Sequence, residues 1–202
     1  MNLEEKIIKE LQERNYSITT AESCTGGLLA GRLLNVSGAS AVYNEGHITY
    51  SNEAKNRLLG VKNETIEKYG VVSEETAREM VIGAAKAAKA DCAISVTGVA
   101  GPDGGTKEKP VGTVYAGFYC KGVVEVVRYN FSGDRYEVRC KTTQNTIEKM
   151  LEISDSLNDG TTPVQYDFYA SDKTKSFEKT VKVLLGDYNK DFEIEQVDIE
   201  KV

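Results

Sequence analysis

The residues best suited to chemistry lie in the stretch 20–27, which has the sequence TAESCTGG. A β-rich run at residues 17–20 precedes this stretch, and a helical pattern at residues 26–34 follows it. A helix N-terminus offers backbone N–H groups without intrahelical partners, together with a partial positive charge. Ser23 could therefore attack a carbonyl while N–H groups stabilise the oxyanion. The alternative is that Ser23 only caps the helix.

A second segment, residues 48–55 (ITYSNEAK), supplies candidate proton carriers. We expect Tyr50 to end a strand at residues 42–50, and Lys55 to lie one turn into a helix at residues 51–59. In a dry environment, a phenol and an ammonium that lie close together can lower each other's pKa. Either group could then take the serine proton. The alternative is a solvated lysine beside a half-buried core tyrosine.

A third segment, residues 97–105 (TGVAGPDGG), follows a predicted buried strand at residues 92–96. Such a loop could present its N–H groups to a phosphate, although tight turns have similar sequences. The segment matches neither the Walker pattern nor the dinucleotide fingerprint, so ATP and NAD are not indicated. Further along the chain, Arg135 and Arg139 are suited to binding a phosphate or carboxylate, unless both are simply solvated.

Composition excludes several classes of protein. The net charge of −6 over 202 residues argues against a general nucleic-acid surface. The four cysteines form no C-x-x-C pair, and the single histidine, His47, cannot complete an ordinary zinc site, so we expect no metal. No apolar run is long enough to span a bilayer, and residues 1–13 do not resemble a signal peptide. We therefore expect a soluble cytoplasmic protein.

The periodicity of the chain predicts an α/β fold. Helical patterns alternate with β-rich runs, and two β-rich runs flank Lys121-Gly122 as a hairpin. This alternation predicts a three-layer α/β/α domain with a mixed sheet at residues 1–155. Residues 156–163 have the composition of a linker, and residues 164–202 are expected to form a small βαβ extension. We interpret that extension as a docking or oligomerisation appendage.

Five motifs occur in an order that resembles a known family. They are TAESCTGG, TYSNEAK, GVVSEET, TGVAGPDGG with KPVGTVY, and GDR. Their order and spacing over residues 3–153 are similar to those of the CinA C-terminal domain family, the group that includes the nicotinamide-nucleotide amidohydrolases called PncC. The resemblance does not extend to residues 160–202.

The resemblance implies an amidohydrolase without metal or cofactor, which converts nicotinamide mononucleotide and water to nicotinic acid mononucleotide and ammonia. It implies that Ser23 is the nucleophile and that Tyr50 and Lys55 move protons. It also implies a homo-oligomer, a dimer or larger, with a small-molecule nucleotide as the substrate and no nucleic-acid or membrane partner. The substrate-binding residues would be Thr25, Gly26, Thr97, Gly98, Gly101, Gly104, Gly105, Arg135 and Arg139.

Two alternatives stay open at the level of the sequence. Cys24 could be the nucleophile in place of Ser23, because a cysteine at a helix start can have a lowered pKa. The chain could also be a nucleotide-binding sensor or adaptor module that does not turn its ligand over.

Overall fold

The computed structural model describes residues 1–156, which build a five-stranded sheet covered by helices on both faces. The strands are β1 (Ile18–Glu22), β2 (His47–Ile48), β3 (Cys92–Gly98), β4 (Thr113–Cys120) and β5 (Val123–Asn130). The helices are α1 (Leu3–Arg14), α2 (Leu28–Leu34), α3 (Asn52–Leu59), α4 (Asn63–Tyr69), α5 (Glu74–Ala88) and α6 (Arg135–Ser156). The predicted βαβ extension and all but the first residue of the predicted linker lie outside the described residues.

The sheet is mixed, with strand order β2-β1-β3-β4-β5. Strand β1 is parallel to both β2 and β3, whereas β4 is antiparallel to β3 and to β5. The predicted hairpin is confirmed: β4 and β5 are joined through Lys121 and Gly122, which both adopt positive φ. Parallel β1, β2 and β3 consequently end at the same edge of the sheet, where side chains from their following loops can meet.

Two apolar clusters hold the helices against the sheet. On one face, α1, α2 and α6 bury side chains such as Ile7, Leu29 and Ile147 against the strands. On the other face, α5 packs along β1, β3, β4 and β5 through Met80 and Val81, while α3 and α4 lie against α5. The predicted three-layer α/β/α architecture with a mixed sheet is therefore confirmed.

The strand predicted at residues 42–50 is wrong for most of its length. Only His47 and Ile48 form a strand, and a short 3-10 turn at Ala39–Ala41 precedes them. Residues 44–46 read NEG, which are poor strand formers, and a Cβ at Gly46 would lie 1.9 Å from the Tyr43 hydroxyl. The chain folds closely over Tyr43 here, so a continuous strand cannot form.

The helix that carries Lys55 begins and ends as its sequence predicts. Ser51 is the N-cap of α3 and accepts a hydrogen bond from the Ala54 N–H, while Gly60 ends the helix in the left-handed conformation with φ of 69°. These local signals fix which residue lies one turn into the helix, and hence where Lys55 projects.

Close packing of α3 against α5 depends on Gly83. A Cβ at Gly83 would lie 1.9 Å from the Leu59 carbonyl oxygen, whereas a Cβ at Gly31 of α2 meets nothing within 4 Å. We expect Gly83→Ala to lower the free energy of unfolding by about 1–3 kcal/mol through overpacking. The control Gly31→Ala should raise it by up to about 1 kcal/mol, because alanine favours a helix interior. Urea denaturation measures the free energy of unfolding of both variants. Equal changes in Gly83→Ala and Gly31→Ala would contradict the role of Gly83 in helix packing.

Candidate active site

Ser23 and Lys55 meet at the edge of the sheet where the parallel strands end. The Ser23 turn follows β1 directly, and the Ser23 N–H donates to the Val96 carbonyl at 3.0 Å, which continues the pairing of β1 with β3. From the first turn of α3, the Lys55 Nζ lies 2.9 Å from the Ser23 Oγ. The predicted juxtaposition of a hydroxyl and an amine is present in the structure.

The Lys55 amine is held by main-chain acceptors. Its Nζ donates to the Thr49 carbonyl at 2.7 Å and to the Tyr50 carbonyl at 3.4 Å. Residue Thr49 is itself tied to β1, since its N–H donates to the Glu22 carbonyl at 2.8 Å. The amine is therefore positioned from both sides, by α3 and by the backbone that follows β2.

Lys55 is fully buried, with 0% of its surface exposed. Among residues 1–156 it forms no ion pair with a carboxylate. Burial disfavours the charged form, and desolvation lowers the pKa of Lys55 to about 8. A substantial fraction of this amine is thus neutral near physiological pH, with a lone pair available to accept a proton.

The N-cap alternative for Ser23 is wrong. The N-cap of α2 is Gly27, and the helix end is satisfied instead by the buried carboxylate of Glu22. Glu22 accepts hydrogen bonds from the N–H groups of Gly27, Leu29 and Ala30, at 2.8–3.0 Å. The sequence analysis assigned no role to Glu22. The signal that could have identified it is an acid as the last residue of a fully buried strand, just before a glycine-rich helix start.

The same contacts correct the predicted source of oxyanion donors. The N–H groups of α2 itself are occupied by Glu22, so they do not form an open anion site. The donors nearest to Ser23 along the chain are those of the turn, at residues 24–26. Within that turn, Gly26 adopts φ of 59°, followed by Gly27 at 94°, a conformation that favours glycine.

Tyr50 lies at the site in a different way from that predicted. The residue is 65% exposed, and its hydroxyl accepts a hydrogen bond from the Arg135 guanidinium at 3.2 Å. Among the described residues, the Tyr50 phenol has no hydrogen bond to Ser23 or Lys55. Only the main-chain carbonyl of Tyr50 accepts a hydrogen bond from Lys55. Because β2 ends at Ile48, Tyr50 is free to turn outward rather than pack as a core residue.

The two candidate arginines on α6 have different contacts. Arg135 joins two segments, since it donates to the Gly101 carbonyl at 2.7 Å and to the Tyr50 hydroxyl. Arg139 donates to the Thr25 carbonyl at 2.6 Å and so supports the turn that carries Ser23. Arg135 therefore lies between the loop after β3 and Tyr50, whereas Arg139 lies against the Ser23 turn, where its Nε is buried without a hydrogen-bond partner among residues 1–156.

The glycine-rich segment begins later than its sequence suggests. Thr97 and Gly98 belong to β3: the buried Thr97 hydroxyl donates to the Val71 carbonyl, and a Cβ at Gly98 would lie 2.8 Å from the Thr113 carbonyl oxygen. Both residues thus have structural contacts, and their assignment to substrate stays a prediction. The loop proper contains Gly101 and Gly104, which adopt φ of 83° and 86°.

A cavity of about 600 Å³ opens beside this loop and the start of α6. Gly105 packs nearby, where a Cβ would lie 2.8 Å from the Val111 N. Arg135 lines the cavity and also contacts Tyr50, so the cavity is linked to the segment that positions Lys55. The lining residues are Ala100, Gly101, Pro102, Val111, Gly133, Asp134, Arg135 and Tyr136.

The rival nucleophile, Cys24, is in an unsuitable environment. Only 7% of its surface is exposed, and burial raises the pKa of its thiol to about 12. Lys55 and Arg139 are near enough to favour the thiolate, but desolvation outweighs them. A thiol that stays protonated at neutral pH is a poor nucleophile.

Residues 1–156 contain neither a cluster of metal-ligating side chains nor a membrane-spanning helix. No cluster of three or more His, Cys, Asp or Glu side chains in this part of the chain could hold a metal ion. None of its helices combines the length and apolar character that crossing a bilayer requires. His47 lies on β2, where its Nε2 is 3.7 Å from a Glu45 carboxylate oxygen.

Comparison with known proteins identifies the family. The sequence pattern of the CinA C-terminal domain matches residues 1–154. The chain belongs to the CinA C-terminal domain family. Two relatives named as competence-damage inducible proteins, from Clostridium novyi and Clostridium beijerinckii, are 55% and 51% identical to it over 152 and 153 residues. These alignments cover 75% and 76% of the chain but only 36% and 37% of the relatives, so the chain spans about a third of their length.

Solved structures of CinA-family proteins share the fold. The competence/damage inducible protein CihA from Agrobacterium tumefaciens has a TM-score of 0.73 and 41% identity, covering 76% of this chain and 93% of its own. A CinA superfamily protein from Klebsiella pneumoniae has a TM-score of 0.73 and 36% identity, with coverages of 78% and 96%. The family resemblance read from the sequence motifs is confirmed.

The buried environment of Cys24 predicts that its thiol does not react at neutral pH. Cys24→Ala should keep the wild-type reactivity of the site, because the buried thiol stays protonated at neutral pH. Iodoacetamide at pH 7 should leave Cys24 unmodified in the folded chain, as judged by peptide mass spectrometry. Loss of that reactivity in Cys24→Ala, with the fold retained by circular dichroism, would favour the thiol over Ser23.

Proposed function

We propose that this chain is an amidohydrolase that deamidates nicotinamide mononucleotide through Ser23. The observation that carries the proposal is the 2.9 Å contact between the Ser23 Oγ and the fully buried Lys55 Nζ. Membership of the CinA C-terminal domain family supports the same reading, because the family resemblance implies this substrate. The product would be nicotinic acid mononucleotide, which returns the pyridine ring to NAD synthesis.

Neutral Lys55 is the general base in this proposal. A neutral amine has two N–H donors and one lone pair, and two carbonyl acceptors surround its Nζ at Thr49 and Tyr50. When those carbonyls take the two N–H bonds, the lone pair is directed at the remaining neighbour, the Ser23 hydroxyl. Such general-base assistance typically contributes about 10²–10⁴-fold to the rate.

The reaction balances with these two side chains and water. As Ser23 Oγ bonds to the amide carbon, its proton passes to Lys55. The C–N bond then breaks, and the Lys55 ammonium protonates the departing nitrogen, so ammonia leaves and an acyl-serine remains. Water attacks this ester and gives a proton to Lys55, which returns it to the Ser23 oxygen as the carboxylic acid is released.

The remaining groups bind and polarise the substrate. The turn N–H groups at residues 24–26 face no competing capping bond from Glu22 and are the proposed oxyanion donors, each worth roughly 3–4 kcal/mol. Arg135 lines the cavity of about 600 Å³ and is the proposed phosphate ligand. Binding energy from the distant phosphate would hold the amide carbon over Ser23.

Removing the nucleophile tests the proposal directly. Ser23→Ala should bind nicotinamide mononucleotide, as measured by calorimetry, but release no ammonia in a coupled assay. The matched control, Ser40→Ala, changes an exposed serine and should keep full activity. Turnover by Ser23→Ala would contradict the proposal, and binding without turnover by the wild-type chain would favour the alternative of a sensor or adaptor module.

The pKa of Lys55 predicts the pH dependence of the reaction. Because the base must be neutral, kcat/KM should rise about tenfold per pH unit below pH 8 and level off above it. Lys55→Met should lose this rise and most of the activity, whereas Tyr50→Phe should keep the rise, since the phenol contacts Arg135. If Tyr50→Phe instead loses the rise of kcat/KM with pH and Lys55→Met keeps it, the proton transfer belongs to the phenol.

A further inference from the structure

The buried carboxylate of Glu22 lies beneath the turn at residues 23–26, which carries Ser23 and which we call the nucleophile turn. Only 1% of the residue is exposed, and within residues 1–156 its two oxygens are surrounded by hydrogen-bond donors and form no ion pair. Burying an anion is costly unless hydrogen bonds replace its water, so this arrangement is a specific feature of the site. The donors are the hydroxyls of Thr25 (2.6 Å) and Thr20 (3.4 Å) and the N–H groups of Ala30 (2.8 Å), Gly27 (2.9 Å) and Leu29 (3.0 Å).

We propose that Glu22 is the positioning residue for the reaction, holding the nucleophile turn and the base in register. The inference rests on the proposed role of Ser23. Its first support is that the side chain spans the turn: Glu22 immediately precedes Ser23, while its carboxylate grips Thr25 and the start of α2 beyond it. The Ser23 backbone is thereby fixed at both ends.

The main chain of Glu22 reaches the other catalytic partner. Its carbonyl accepts the Thr49 N–H at 2.8 Å, and the Thr49 carbonyl in turn accepts the Lys55 Nζ at 2.7 Å. One residue therefore connects the turn that carries the hydroxyl with the segment that holds the amine. A shift of Glu22 would change the distance between Ser23 and Lys55, on which proton transfer depends.

Glu22 also decides which N–H groups stay available to substrate. It occupies those of Gly27, Leu29 and Ala30, while the Thr25 carbonyl is occupied by Arg139 and by the Leu28 N–H. In a trans peptide the N–H points opposite to the C=O. The Gly26 N–H is therefore turned away from α2 and Arg139, free to act as an oxyanion donor.

A matched pair of variants tests this role. Glu79 is a comparable carboxylate on α5 that accepts the Lys62 N–H and the Thr65 hydroxyl, both at 2.8 Å, near α4. Glu22→Gln and Glu79→Gln make the same chemical change, because an amide nitrogen cannot accept these bonds. Glu79 is only partly buried, so comparing the two variants separates the loss of a carboxylate acceptor from a helix and its neighbours in general from its loss beneath Ser23.

The readout is the reactivity of Ser23 itself. A fluorophosphonate probe is added to each full-length chain well below its unfolding temperature, and labelling of Ser23 is followed by peptide mass spectrometry. Labelling of Glu22→Gln should be at least tenfold slower than wild type, and kcat for nicotinamide mononucleotide should fall similarly with KM within threefold. Glu79→Gln should be labelled at the wild-type rate even where its thermal stability falls.

The other outcomes distinguish failure of the proposed nucleophile from failure of the inference about Glu22. If wild-type Ser23 does not react, the proposed nucleophile is wrong and the role of Glu22 falls with it. If wild type reacts and Glu22→Gln reacts equally fast, only the inference about Glu22 is overturned. If circular dichroism shows that Glu22→Gln does not fold, Thr25→Val replaces it, since this variant removes only the 2.6 Å hydrogen bond from the Thr25 hydroxyl to Glu22. Labelling of Ser23 in Thr25→Val at least threefold slower than in wild type supports the inference, and labelling at the wild-type rate overturns it.

Discussion

Burial of the Lys55 amine against the Ser23 hydroxyl is the constraint on which the site depends. An amine without exposed surface must find acceptors within the protein, and here they are backbone carbonyls rather than a carboxylate. An acidic partner would stabilise the ammonium and raise its pKa, whereas here desolvation lowers the pKa to about 8 and favours the neutral amine. The chemistry of the site follows from this choice of neighbours.

The sheet brings these groups together through its parallel half. Strands β1, β2 and β3 end at one edge, so the Ser23 turn, the segment before α3 and the loop after β3 meet there. The antiparallel strands β4 and β5 return the chain so that α6 begins beside the same edge. Arg135, in its first turn, then reaches both Gly101 and Tyr50.

Local signals in the sequence located most elements because their causes are local. Ser51 and Gly60 delimit α3, and the Lys121-Gly122 pair sets the hairpin, each by backbone preferences that need no partner. The strand predicted at residues 42–50 was wrong because Tyr43 and Gly46 pack on each other at close range. Such a contact outweighs strand propensity, and periodicity does not reveal it.

For the site, the sequence by itself determined the residue types and their order along the chain: a serine before two glycines, and a lysine one turn into a capped helix. Only the tertiary structure decided their partners. It turned the Tyr50 phenol towards Arg135, gave Arg139 to the Thr25 carbonyl, buried the Cys24 thiol and placed the Glu22 carboxylate under α2. These contacts join residues distant in sequence or depend on which face of the turn is covered. Burial sets the pKa values of Lys55 and Cys24, and it arises only when the helices pack on the sheet.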